Sequence, residues 1–196
     1  MQERHSEVLD QYAFNLTQLA LQNKLDVYED EVDEENLLRV MQVISRRAKN
    51  NPILLSSSTS LIDSYINKLA MQIMDQESNI PENIFNIQIF KLDISHETPQ
   101  VISAIFSKLI PFRPRSKDNK HDAVVYIAES TKLLSLDKEI ANHIYRGISH
   151  GVLDCILGMT VEQYKILIED SYPTNRKTQI IMLDSSPNSQ SRTNST

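Results

Sequence analysis

The chain is predicted to fold as a three-layer α/β sandwich around a five-stranded parallel sheet. Three observations carry this. Short apolar runs alternate with amphipathic helical patterns along most of the sequence. The runs are continuous rather than polar at every second residue, as in strands buried on both faces, and such strands belong to parallel sheets flanked by helices. At 196 residues, with 40% hydrophobic and 23% charged residues, the chain can bury one sizeable core.

Each element has its own signal. Residues 5–23 repeat apolar side chains at Val8, Tyr12, Leu16, Leu19 and Ala20, which predicts one amphipathic helix. The run YEDEVDEE (28–35) holds six acids in eight residues and reads as a solvated loop. It also places negative charge at the start of a helix over residues 35–49, whose end, SRRAK, supplies the complementary positive charge. Ile53–Leu55 predicts a buried strand. The helix after it carries Leu61, Ile62, Tyr65, Ile66, Leu69, Ala70, Ile73 and Met74 on one stripe.

Past the turn SNIPEN, IFNIQIFKLD (84–93) predicts the second strand, and ETPQVISAIFSKLI (97–110) the next helix. A basic loop, PFRPRSKDNK, leads to the strand AVVYIA (123–128). A helix over residues 137–149 precedes the strand VLDCILG (152–158). Thr160 and Gln163 have capping-box spacing at the head of TVEQYKILIED. TQIIML (178–183) is the fifth strand, and the polar stretch SSPNSQSRTNST (185–196) has the composition of a disordered tail.

Composition narrows the function classes. A net charge of −6 and a pI near 5.4 argue against general nucleic-acid binding. The single cysteine, Cys155, excludes an intramolecular disulfide and fits a soluble protein of a reducing compartment. No apolar run reaches membrane-spanning length, and the opening MQERHSEVLDQ lacks a signal-peptide core. Histidines 5, 96, 121, 143 and 150 show no metal-ligand spacing with Cys155, so no metal is expected. No G-x-S-x-G nucleophile elbow is present. Three glycines in the whole chain handicap any site where several backbone groups must crowd a ligand.

Four blocks, NLTQLALQNKLD, VISRRAKNNPILL, NIPENI and GVLDCILGMTVEQYKILIED, occur in the order and near-spacing of the first ATPase module of ClpB/ClpC-type AAA+ unfoldases. The chain resembles that module over residues 9–184, closest in flavour to ClpC. The resemblance implies the large subdomain of a P-loop NTPase-like AAA+ fold without its helical lid. It divides the chain into an N-terminal helical linker or arm (1–26), a degenerate AAA+ core (27–184) and the tail (185–196). The ClpC flavour implies a plastid stroma or a cyanobacterial-type cytoplasm.

Within NPILLSSSTSLIDSYINKLA (51–70), the stretch from Pro52 to Ala70 aligns without a gap to the family's phosphate-loop segment. The three glycines of the loop fall on Ser56, Thr59 and Leu61, the phosphate-binding lysine on Ile62 and the magnesium-binding threonine on Asp63. Glycines let successive N–H groups wrap phosphates and the lysine neutralises them. Ile62 removes that cation, and Asp63 adds a negative charge. In AVVYIAES the magnesium-organising acid becomes Ala128, while Glu129 falls on the catalytic glutamate, either as a relic or as a surface carboxylate. The polar sensor position becomes Met159. The aromatic pore loop is shortened to ISHETPQ. Nucleotide contacts are therefore expected to be lost at Ser56, Thr59, Leu61, Ile62, Asp63, Ala128 and Met159, although the Ser56–Ser58 hydroxyls and the helix N-terminus could hold a weak anion.

TNRKTQ (174–179) resembles the family's arginine pair before the last strand, with Arg176 and Lys177 in its places. In the family those arginines reach a neighbouring subunit's ATP site, so Arg176 is a candidate finger in trans; the alternative is a solvated loop arginine. Arg113, Arg115, Lys117 and Lys120 either dock an acidic partner or RNA or are simply solvated. The function expected is non-enzymatic and without cofactor: a pseudo-AAA+ protein acting through protein partners. It would serve as an accessory or regulatory subunit of a Clp chaperone or protease. The alternatives are a structural or assembly subunit of an unrelated large complex and, last, a residual ATPase.

Overall fold

The computed structural model describes residues 8–26, 32–75, 80–94, 96–109, 123–130, 134, 138–169 and 177–184. It contains strands β1 (Ala13–Asn15), β2 (Asn51–Ser56), β3 (Gln88–Leu92), β4 (Ala123–Ile127), β5 (Cys155–Thr160) and β6 (Thr178–Met182). The helices are α1 (Leu16–Leu21), α2 (Glu34–Ile44), α3 (Thr59–Asp75), α4 (Pro99–Leu109), α5 (Lys138–Ser149) and α6 (Val161–Glu169).

The sheet runs β1-β3-β4-β5-β2-β6. Five strands are parallel, as the continuous apolar runs predict. The sixth is a correction. β1 pairs antiparallel with β3, Ala13 facing Leu92 and Asn15 facing Phe90, so the sheet is mixed and six-stranded. The expected single helix over residues 5–23 breaks at Ala13, where the chain joins the sheet as β1, and Asn15 starts a new helix. Its Oδ1 accepts from the Gln18 amide at 3.0 Å and from Thr17 Oγ1 at 2.6 Å, which makes it the N-cap of α1. An asparagine side chain that satisfies free backbone N–H groups starts a new helix as effectively as it interrupts an old one.

Two apolar layers sandwich the sheet. On one face α1, α2 and α3 bury Leu37, Met41, Ile62, Ile66 and Leu69 against Leu54, Tyr126, Ile156 and Ile181. On the other, α4 and α5 bury Ile102, Phe106, Ile140 and Ile144 against Leu55, Val125, Cys155 and Met159. Each fully buried Leu, Ile or Phe contributes about 1.5–3 kcal/mol relative to exposure, so these layers fix the architecture.

α2 starts where the acids predict: Asp33 caps the Asn36 amide at 2.9 Å, and Glu34 and Glu35 occupy the first turn. It stops at Ile44, short of the basic residues expected inside it. Thr160 and Gln163 form the reciprocal capping box at α6, with Thr160 N donating to Gln163 Oε1 at 2.8 Å and Gln163 N to Thr160 Oγ1 at 3.2 Å.

Candidate functional site

In an open parallel sheet, ligands gather beyond the carboxyl ends of the strands where connections leave to opposite sides. Here that place is the end of β2. From β2 the chain crosses through α3 to β3, and from β5 it crosses the opposite face through α6 to β6. β2 and its neighbours end level with one another: Ser56 lies opposite Thr160, and Leu55 opposite Met182. Leu183 N then donates to the Leu55 carbonyl at 2.9 Å, which brings the next residue, Asp184, beside the loop.

The loop over residues 56–60 closes on that residue. Asp184 Oδ1 accepts from Ser56 Oγ at 2.5 Å, and Oδ2 accepts the Ser57 amide. Ser58 N donates to Ser56 Oγ at 3.1 Å, and the Ser58 and Ser60 hydroxyls share a bond of 2.6 Å. The donors at the head of α3 thus converge, directly or through Ser56, on one carboxylate of the same chain. Charge-assisted bonds of this kind are about twice as strong as neutral ones.

The residues aligned with the family's lysine and threonine behave differently from each other. Ile62 is 1% exposed and lies in the core among Tyr126, Ile156 and Leu54, with Gly158 beside it. Asp63 does place a carboxylate in the first turns of α3, but its charge is partnered. Tyr126 Oη donates to Oδ1 at 2.7 Å and Lys91 Nζ to Oδ2 at 2.8 Å, with that ammonium 5.8 Å from the Tyr126 ring centre. Burial, then the Asp63 charge, pushes the Tyr126 phenol well above its ordinary range, and Glu129 adds to this. Lys91 is a cation supplied from β3 rather than from α3.

Thr59 and Leu61 open α3, half-buried, and Ala128 packs against the α3 side of the core. Met159 is fully buried under the opposite layer. Glu129 follows β4 at the same end of the sheet, with a left-handed φ of 46°. An L residue at positive φ carries backbone strain of about 1–3 kcal/mol. Among the described residues no group of three or more His, Cys, Asp or Glu is placed to hold a metal ion.

Lys177 lies at the other end of the sheet. Asn51, buried at the start of β2, donates from Nδ2 to the Lys177 carbonyl at 3.3 Å and accepts the Cys155 amide at 2.8 Å. A five-residue strand, about 17 Å long, separates that end from the loop over 56–60. Arg176 and the basic residues Arg113, Arg115, Lys117 and Lys120 lie outside the described residues, as does the tail 185–196.

Sequence reasoning missed Asp184 and Lys91. The available signal for Asp184 was positional: an acid one step past a strand that neighbours β2. Lys91 carried none, because a lone lysine inside an apolar strand does not reveal its partner.

No family model matches the chain. Chaperone protein ClpB of Bacteroides thetaiotaomicron is 29% identical over 192 residues, covering 93% of this chain and 22% of that protein. ClpB of Porphyromonas gingivalis is likewise 29% identical over 192 residues, 93% of this chain and 21% of its own length. Heat shock protein 100 of Trypanosoma brucei brucei is 25% identical over 190 residues, 90% of this chain and 21% of its own. The chain spans about a fifth of the length of these curated relatives. A closed-state reconstruction of Hsp104 with ATPγS and FITC casein matches with a TM-score of 0.71 at 24% identity, over 90% of this chain and 31% of that one. The extended Hsp104:casein complex of S. cerevisiae matches at 0.68 and 24%, over 90% and 30%.

Three expectations change. The relatives are ClpB and Hsp100 proteins, so the likeness supports a ClpB-like module and not ClpC specifically. The plastid or cyanobacterial compartment, which rested on the ClpC flavour, loses its support; no described helix is long and apolar enough to cross a membrane. The reading of the chain as a non-enzyme is overturned, because ClpB and Hsp104 chaperones are ATPases and nothing in the likeness sets this chain apart as inactive. By sequence the chain is similar to ClpB over 93% of its own length, and by structure it shares the α/β fold of Hsp104.

Proposed function

We propose that the chain works through protein–protein contacts, as an accessory or regulatory subunit that joins a ClpB/Hsp104-type AAA+ chaperone. One observation carries the reading. The Lys177 carbonyl is tied by Asn51 to the amino end of the sheet, a strand's length from the loop over 56–60 of the same chain. Arg176, the residue before Lys177 in sequence, is the side chain we assign to another subunit, where an arginine in trans stabilises charge on a transferring phosphoryl group. The role does not depend on nucleotide contacts at this chain's Ile62 and Asp63.

The test is to mix the full chain with a purified ClpB/Hsp104-type ATPase and measure both co-sedimentation and ATP turnover. The expected result is co-sedimentation with a changed turnover rate. Arg176→Ala should keep co-sedimentation and abolish the rate change. A chain that neither co-sediments nor alters turnover contradicts the proposal, and purification of the tagged chain with a different stable assembly would favour a structural subunit of that assembly.

A further inference from the structure

We propose that Asp184 is a built-in anion that closes the loop over 56–60 to free phosphate groups. The loop has the donors an anion needs: the Ser56 hydroxyl, the Ser57 amide and, relayed through Ser56, the Ser58 amide, all at the head of a seventeen-residue helix. A negatively charged group is already bound to them. It comes from a different element, 127 residues further along the chain than Ser57. It is not there by default, because the Leu183–Leu55 backbone bond extends the β2–β6 ladder one step and sets the Asp184 carboxylate against the loop.

A second arrangement works in the same direction. The nearest acid on α3, Asp63, is held by Lys91 and Tyr126 on the sheet side. The ammonium that could have drawn a phosphate toward α3 is therefore committed to a carboxylate of the chain itself. An incoming phosphate meets donors occupied by one carboxylate and a lysine occupied by another. It gains little by replacing either, since it exchanges like for like while facing the displaced charge. The device belongs to this chain alone and stands whether or not the partner proposed above exists.

The experiment follows the backbone amides of Ser57 and Ser58 by NMR in the full ¹⁵N-labelled chain while inorganic phosphate is added, with chloride at matched ionic strength as control. Asp184→Asn keeps the size and removes the charge; Asp184→Ala removes the group. In the parent protein the two amides should be insensitive to millimolar phosphate. In Asp184→Ala they should move saturably, with phosphate bound at least about tenfold more tightly, and Ser57 should exchange its proton about tenfold faster or more, as expected for losing a bond to a charged acceptor. Asp184→Asn should fall between. Equal sensitivity of the parent and Asp184→Ala, a smaller gain, or no response in either overturns the proposal. Should Asp184→Ala not fold, Asp184→Asn against the parent decides by the same criterion of tighter phosphate.

Discussion

Tyr126 donates its hydroxyl to Asp63 at 2.7 Å across the boundary between β4 and α3, so a buried phenol and a half-exposed carboxylate satisfy each other. Removing either partner is not equivalent. Tyr126→Phe leaves Asp63 with Lys91 and should cost about 1 kcal/mol. Asp63→Ala strands the buried hydroxyl and frees the ammonium, and should cost about 1–3 kcal/mol. Urea unfolding of the two variants and of the pair, read as a double-mutant cycle, checks the ordering. Equal losses would show that the hydroxyl finds another partner.

Ile62 sets a second expectation. Its side chain lies in the layer between α3 and the sheet, with its Cγ2 only 3.2 Å from where a Cβ on Gly158 would stand. Ile62→Lys puts an ammonium into that packed site and should destabilise the protein by about 3 kcal/mol or more, unless the longer chain reaches water. Thermal unfolding of the variant against Ile62→Met, a volume-matched control, isolates the charge. A loss no larger than the control's would show that the lysine escapes.

Asn51 is the third. It is buried and serves the Cys155 amide and the Lys177 carbonyl at once. Asn51→Leu leaves both without their side-chain partner and should cost about 2–3 kcal/mol. Asn51→Asp keeps the acceptor for Cys155 but buries a carboxylate against the Lys177 carbonyl and Asn50 Oδ1. Guanidinium melts should place both variants below the parent, and the aspartate variant should recover as pH falls and its carboxyl becomes neutral. Hydrogen exchange of the Cys155 amide should accelerate in the leucine variant and not in the aspartate one.

Alkaline pH is the fourth. Burial, reinforced by the Asp154 charge, raises the Cys155 thiol above its ordinary 9.0. Burial likewise raises the Tyr126 and Tyr65 phenols above 10.0. Each group keeps its proton longer in the folded chain than in the unfolded one. Their stabilisation is therefore complete below about pH 9 and falls as the unfolded chain ionises first, by up to about 1.4 kcal/mol per pH unit for each group. Urea midpoints measured between about pH 8 and about pH 11 should drop steadily, and Cys155→Ala should flatten the first part of the fall.

Much of this was legible beforehand because parallel strands and their covering helices write their burial into the sequence. The stripe on α3, the runs at β2, β4 and β5 and the Thr160–Gln163 cap all depend on neighbours a few residues away. What escaped depends on distant ones. β1 hides in a helical period because its pairing with β3 is decided some 75 residues later, a tertiary choice that overrides a weak local preference. Asp184 could not be assigned for the same reason: its role exists only once β6 has aligned with β2. Ile62 could be placed in the apolar stripe from spacing alone, but the pairing of Asp63 with Lys91 joins residues on two elements, and no pattern of charge along the chain announces it.

The position of β2 has a consequence for the order in which the molecule is made. β2 lies between β5 and β6, and Asn51 is tied to a carbonyl 126 residues downstream. A nascent chain emerging from the ribosome therefore holds a strand whose six residues are all buried in the finished fold with one side unpaired until β6 is synthesised. Such long-range closure is slow, and an uncovered strand edge is a template for pairing with other chains. Chains released before Thr178 should accumulate in aggregates or on chaperones, and only synthesis through β6 should bring the whole sheet into register.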